Sequence, residues 1–205
     1  MTDRARSLRF QQAIRSLQAW LSAAEFERTR LLADEPWQTD ATFLVYSLRN
    51  LLRSGELAAR SAPDAAVRDI RRQIDKFKAS VPSLVDLRDV LEHFDDYLEM
   101  KGNLQHPPGT PKGQRKSDAA IDRWAGKRRR RAPPGSFSFW AARQNDDDLL
   151  VGAGELELRV DQAIEAASKM AAAILAHGPN RLIAEGLARR SAPAAFRTRG
   201  GEGPG

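Results

Sequence analysis

Four successive segments between residues 4 and 102 repeat apolar side chains at helical spacing, and this pattern constrains the fold more than any other feature of the chain. In the first, about Arg4 to Ala33, Phe10, Ile14, Leu17, Leu21 and Ala24 share one stripe with Trp20 beside it, and Asp34-Glu35-Pro36 ends it. Thr39 or Asp40 can cap the second, which runs to about Arg60 with Phe43/Leu44, Leu48 and Leu51/Leu52 facing the core. Gly55 comes next on that stripe. It either weakens the helix by about 1 kcal/mol relative to alanine or marks a close helix contact. After the turn Ser61-Ala62-Pro63-Asp64, the third helix carries Val67, Ile70, Ile74 and Phe77. The fourth opens at Pro82, carries Leu84, Leu87, Leu91, Phe94 and Leu98, and is expected to stop at Gly102.

Short turns between amphipathic helices predict an antiparallel bundle. The pattern breaks at His106-Pro107-Pro108-Gly109-Thr110-Pro111, which cannot be helical. Alternation of Phe137, Phe139 and Ala141 with Ser136, Ser138 and Trp140, then Leu149 to Leu158 after Asn145-Asp146-Asp147-Asp148, predicts a β-hairpin. A further helix is expected over about Asp161 to Ala176, ended by Gly178-Pro179. The fold expected is therefore mainly α, an antiparallel bundle of four or five helices with a β-hairpin inserted before the last helix. Residues 1–179 form the helical domain, with a basic loop at 103–135 and the hairpin at 136–158. Residues 180–205, rich in Ala, Arg, Gly and Pro, read as a flexible basic tail.

The charge is local. Lys112 to Arg131 holds nine basic residues against Asp118 and Asp122, a charge of +7 within a chain of net +6. The run Lys127, Arg128, Arg129, Arg130 and Arg131 is the candidate nucleic-acid contact, because clustered cations release counterions from a phosphate backbone whatever its sequence. The same run also suits a solvated loop, or a nuclear import signal in a eukaryote. Aromatics just after it could stack on bases, though a hairpin core explains them more simply. With no cysteine, disulfides, thiolate chemistry and cysteine-ligated metal centres are excluded. No apolar stretch approaches the about 20 residues of a membrane span, and the N-terminus lacks the apolar middle of a signal peptide, so a cytoplasmic address is expected. No G-x-G-x-x-G or Walker pattern is present, and no cofactor is expected.

Of three histidines, His106 lies in the proline loop and His177 near a helix C-terminus, where it complements the dipole. His93 lies in the fourth helix, in Leu87-Arg88-Asp89-Val90-Leu91-Glu92-His93. At helical periodicity Arg88 and His93 sit about 140° apart, on the two shoulders of the face turned away from the leucine stripe. An arginine, a polar neighbour and a histidine four to six residues on, placed on a later helix of a small bundle, resemble the HEPN family. Arg88, Asp89 and His93 match that motif at its shortest spacing, with aspartate where asparagine is more familiar.

The resemblance implies metal-independent RNA cleavage in a cleft between two subunits of a homodimer, of defence or toxin type, with an antitoxin-type protein as a further partner. His93 would move protons at the ribose 2′-oxygen and the leaving oxygen. Arg88 would meet charge growing on the phosphate, and Asp89 would orient the imidazole. Two other readings stay open. Arg88–Glu92 and Asp89–His93 can be plain i,i+4 pairs on an interaction module, each contributing a few tenths of a kcal/mol. Asp89, Glu92, His93 and Asp96 can also be drawn as metal ligands, although the other helices offer no Glu-x-x-His partner and no metal is expected.

Overall fold

The structure is a computed structural model of the chain, and it describes residues 2–33, 38–93, 96–97, 101–106, 108–116, 139–145 and 148–178. Four helices come first: α1 (Asp3–Ala33), α2 (Gln38–Ser61), α3 (Asp64–Ser80) and α4 (Leu84–Glu92). Two short 3-10 turns follow at Asn103–Gln105 and Lys112–Gln114. Strands β1 (Phe139–Asn145), β2 (Asp148–Ala153) and β3 (Leu156–Arg159) then lead directly into α5 (Val160–Leu175). The protein is mainly helical, with a small antiparallel sheet before its last helix.

Most residues of the expected stripes are buried, with Val67, Leu91 and Ile164 only partly so. On α1, Phe10, Ile14, Leu17, Leu21 and Ala24 are all buried. On α2, Leu44, Leu48, Leu51 and Leu52 are buried, but Phe43 is 54% exposed, so the core face turns toward Leu44 and Val45. α1 and α2 run antiparallel, tied along their length by Arg30 to Asp40 (3.0 Å), Ser16 to Ser54 (2.9 Å) and Arg6 to the Ala62 carbonyl (2.5 Å). α2 is the central element, touching α1, α3, α4, α5 and β1. Small residues make that possible. A methyl added at Gly55 would meet Ile74 and Ile174 at 3.5 Å and Met170 at 3.6 Å, so α3 and α5 both close on α2 at this glycine.

The inserted strands depart from the expected hairpin. The run Leu149–Leu158 is two strands, turned at Gly154, whose φ of +60° lies in the left-handed region that suits glycine. The result is a three-stranded meander in the order β1-β2-β3. Trp140 pairs with Gly152 across the first two strands, and its ring covers the bare glycine. Ala141, Leu149, Val151 and Leu158 join the core that α2, α4 and α5 build. A sheet too small to stand alone is held this way by helices.

α4 also differs from expectation. Pro82 stands ahead of the N-cap Ser83, and the helix ends at Glu92 after nine residues. His93 is its C-cap, with φ −125° and ψ 36°, rather than a residue of its interior. The backbone is helical again at Asp96 and Tyr97. The expected basic run Lys127–Arg131, the residues Ser136–Ser138 and the tail 180–205 lie outside the described residues. Among the described residues no helix is long and apolar enough to cross a membrane.

Candidate functional site

The break in α4 determines what surrounds His93. Beyond the end of α4 the backbone is helical again at Asp96 and Tyr97, where the Tyr97 N–H bonds the His93 carbonyl at 3.1 Å, and residues 101–106 pack back against Tyr97. Tyr97 anchors this return. It is 1% exposed. Its hydroxyl donates to Asp89 Oδ2 at 2.9 Å and accepts the Leu104 backbone N–H at 3.2 Å. Gln105, fully buried, donates from Nε2 to the Tyr97 carbonyl at 3.1 Å and accepts the Gly102 N–H on Oε1 at 2.8 Å. Burial, foremost, and the neighbouring Asp89 carboxylate push the Tyr97 phenol well above its ordinary range, so it stays a donor. Gly102, expected as a helix stop, has another purpose. Its φ is −60°, within reach of any residue, but a side chain there would collide with the Tyr97 ring.

This return forms an open cleft of about 310 Å³ lined by Asp89, His93, Asp96, Asn103, Lys112 and Arg115. The His93 side chain is 49% exposed between two carboxylates. Nε2 lies 4.0 Å from Asp89 Oδ1, and Nδ1 lies 3.8 Å from Asp96 Oδ2. Both separations exceed hydrogen-bond length, so the ring is flanked rather than clamped and its nitrogens stay available. Lys112 Nζ sits 2.7 Å from Asp96 Oδ2, and this hydrogen-bonded cation holds the Asp96 carboxyl below the usual carboxylate range. Arg115 spans the returning loop, donating to the carbonyls of Thr110 (3.2 Å) and Lys101 (3.3 Å) and to Asn103 Oδ1 (3.4 Å). The first two cations of the basic segment therefore stand beside His93 and offset its acidic neighbours.

The structure brings Asp89 and His93 together but keeps Arg88 apart. Arg88 does not line the cleft. It pairs with Glu92, one turn along the same helix. Its guanidinium is depressed from its ordinary range by burial first and then by Arg53 and Arg49 of α2. Both i,i+4 relationships noted in the sequence are thus present, the Asp89–His93 one as a loose approach. Among the described residues, no group of three or more His, Asp or Glu side chains is arranged to hold a metal ion.

The other histidines are differently placed. His177 reaches back from the end of α5 to Asp69 of α3, Nε2 to Oδ2 at 3.0 Å, so it joins two helices rather than only facing its own helix end. His106 is buried, 2% exposed.

Sequence reasoning missed Asn103, Lys112 and Arg115 as parts of this site. Lys112 and Arg115 were visible only as members of a charged stretch, and their convergence on His93 depends on the 101–116 return. Compared with protein-family models, curated proteins and solved structures, the chain matches none.

Proposed function

We propose that this chain is an RNA-directed protein of HEPN type: an antiparallel helical bundle that cleaves RNA without a metal ion, in a site completed by a second copy. The observation that carries this reading is His93, half-exposed in an open cleft with one neighbouring carboxylate fixed by Tyr97 and two cations alongside. Imidazole titrates near neutrality in its unperturbed state, which suits it to moving a proton in both directions.

The chemistry follows from those groups. A ribose 2′-hydroxyl loses its proton to the His93 imidazole as its oxygen bonds to phosphorus. The bond from phosphorus to the 5′-oxygen breaks, and that oxygen takes a proton from the imidazolium of the partner subunit's His93. The products are a 2′,3′-cyclic phosphate and a 5′-hydroxyl. Lys112 and Arg115 face the negative charge that grows on the non-bridging oxygens. Arg88 of the partner subunit adds a planar fork to the same phosphate. The five-residue spacing of Arg88 and His93, with the two side chains on different flanks of α4, suits a site shared between copies better than one within a chain. A role in defence or as a toxin, restrained by an antitoxin-type partner, fits such an activity.

The test is degradation of RNA by the purified full chain with EDTA present, against His93→Ala. The expected result is cleavage that yields cyclic-phosphate ends and vanishes in the variant. Activity that survives the substitution removes His93 from the chemistry. A strictly monomeric protein that cleaves would remove the shared site.

A second reading is favoured by the Arg88–Glu92 pair, which occupies the arginine within its own chain. In it the protein is a helical interaction or nucleic-acid-binding module without catalysis. RNA that is bound and never cut, with native and His93→Ala proteins indistinguishable, would establish it.

A further inference from the structure

The cleft at His93 contains a group that cleavage does not use. A site that receives phosphate gains from cations, yet Asp96 brings a carboxylate into it. Lys112 meets Oδ2 of that carboxylate at 2.7 Å, and His93 Nδ1 approaches the same oxygen at 3.8 Å. Oδ1 makes no hydrogen bond among the described residues and is not sealed from solvent. Asn103, exposed on the returning chain, is committed the opposite way. Its Oδ1 accepts from Arg115 at 3.4 Å, which leaves both N–H groups of Nδ2 without an acceptor among the described residues. An open acceptor, open donors and the cations Lys112 and Arg115 therefore line one cavity of about 310 Å³.

We propose that this cleft selects a guanine nucleotide, so that RNA is engaged at a guanine beside the phosphate to be cut. The inference rests on the RNA-directed reading above and names its substrate. A carboxylate accepts hydrogen bonds and donates none, so the partner of Asp96 is a group rich in N–H rather than the phosphate itself. A protein arginine or lysine would bring N–H groups too, but Lys112 and Arg115 repel a further cation. A nucleotide carries both things the cleft asks for, an anion and a base edge. Guanine alone of the four RNA bases sets two N–H groups, at N1 and N2, beside a carbonyl, O6. Asp96 accepts that pair, and the Asn103 amide donates to O6. Adenine and cytosine each put one amino group beside a ring-nitrogen acceptor, and uracil puts its N–H between two carbonyls that a carboxylate repels. The cavity is at the small end for ligand sites and suits one nucleotide rather than a paired helix. Reading this edge requires an unpaired base, so the strand is single there.

Binding is measured first, because it needs no catalysis. The thermal unfolding midpoint of the full chain is followed with 3′-GMP, 3′-IMP, 3′-AMP, 3′-CMP and 3′-UMP, since a ligand of the folded state raises it. The expected result is the largest rise with 3′-GMP. Inosine lacks only the 2-amino group, so 3′-IMP should bind less tightly by about fivefold or more, the loss of one paired contact. Asp96→Asn, of the same shape but with an amide, should bring 3′-GMP down to the level of the other nucleotides. Equal affinities in the native protein, binding of none of the five, or a guanine preference that persists in Asp96→Asn overturns the site. The comparison of 3′-GMP with 3′-IMP uses the native chain and decides the matter should the variant not fold.

Single-stranded RNAs with one guanine or none then identify the source of the base. Tighter binding of the guanine-bearing strand upholds the proposal. Selective binding of 3′-GMP with the two strands bound alike assigns the cleft to a free nucleotide and overturns the engagement of RNA at guanine. Failure of cleavage is separate. Guanine-selective binding in a protein that cuts no RNA removes the nuclease reading and keeps the guanine site. Cuts made without regard to the neighbouring base overturn the guanine site and keep the nuclease.

Discussion

The buried Tyr97 hydroxyl donates to Asp89 Oδ2 at 2.9 Å, joining the turn after α4 to a residue eight positions earlier. Through this bond the chain segment that brings Lys112 and Arg115 to the cleft is tied to the helix that bears His93. Removing the oxygen in Tyr97→Phe leaves the Leu104 N–H without its acceptor and frees one Asp89 oxygen. We expect a loss of about 1–3 kcal/mol in unfolding free energy, the cost of an unsatisfied buried group. Chemical denaturation measures it, and a loss below a few tenths of a kcal/mol would mean that the bond is not made.

Two glycines should respond to alanine in opposite directions. At Gly55 the added methyl meets neighbours at 3.5–3.6 Å, which is ordinary contact, in the middle of a helix. Gly55→Ala is expected to stabilise the protein by up to about 1 kcal/mol through helix propensity and a less flexible unfolded chain. At Gly102 the methyl would enter the space of the Tyr97 ring. Gly102→Ala should lower the melting temperature and disturb the Tyr97–Asp89 bond with it. Melting curves of the two variants beside the native protein decide both.

Lys112 governs the protonation of Asp96 more than it governs stability. Its side chain is 67% exposed, and exposed pairs contribute at most about 1 kcal/mol. Lys112→Ala should therefore change the melting temperature little while moving the Asp96 carboxyl upward toward its ordinary range. A carbon-detected NMR titration of Asp96 reads the shift directly, and an unmoved titration would show that the contact is not kept in solution.

The Asp69 carboxyl is held below its ordinary range, chiefly by the His177 hydrogen bond and then by Arg72, against an opposing effect of burial. A depressed folded-state pKa adds stability above the unfolded value, near about 3.9, and that stability is lost as pH falls through the folded value. Asp69→Asn should thus be less stable than the native protein at pH 6 and approach it as pH falls through the depressed folded-state value of the Asp69 carboxyl. Melting temperatures of the pair across that range test the sign, and a constant difference would rule the linkage out.

How much of this was legible in the residues can be argued element by element. The stripe Phe10–Ala24 and the spacing of Ile70, Ile74 and Phe77 placed their helices correctly, because burial of one face at a period of 3.6 residues is written directly in local order. The same logic missed the break at His93 inside the expected fourth helix, and Phe94 and Leu98 of that stripe lie outside the described residues. Gly154 was visible as a glycine but not as the turn that makes a third strand. Around the site, Asp89 and His93 were legible as an i,i+4 pair. Nothing in sequence spacing linked Lys112 or Arg115 to them, because both lie well beyond the reach of any helical period from His93.

The sequence by itself determined the helical class, the order of the elements and which face of most helices is buried, because these follow from short-range periodicity and from the hydrophobic effect acting on it. Only the tertiary structure decided that His93 ends its helix, that residues 101–106 pack back on Tyr97, and that Arg88 lies outside the cleft that holds the histidine. Those outcomes depend on packing between residues far apart in the chain, where the free energy of a contact is decided by whatever surface the rest of the fold presents to it.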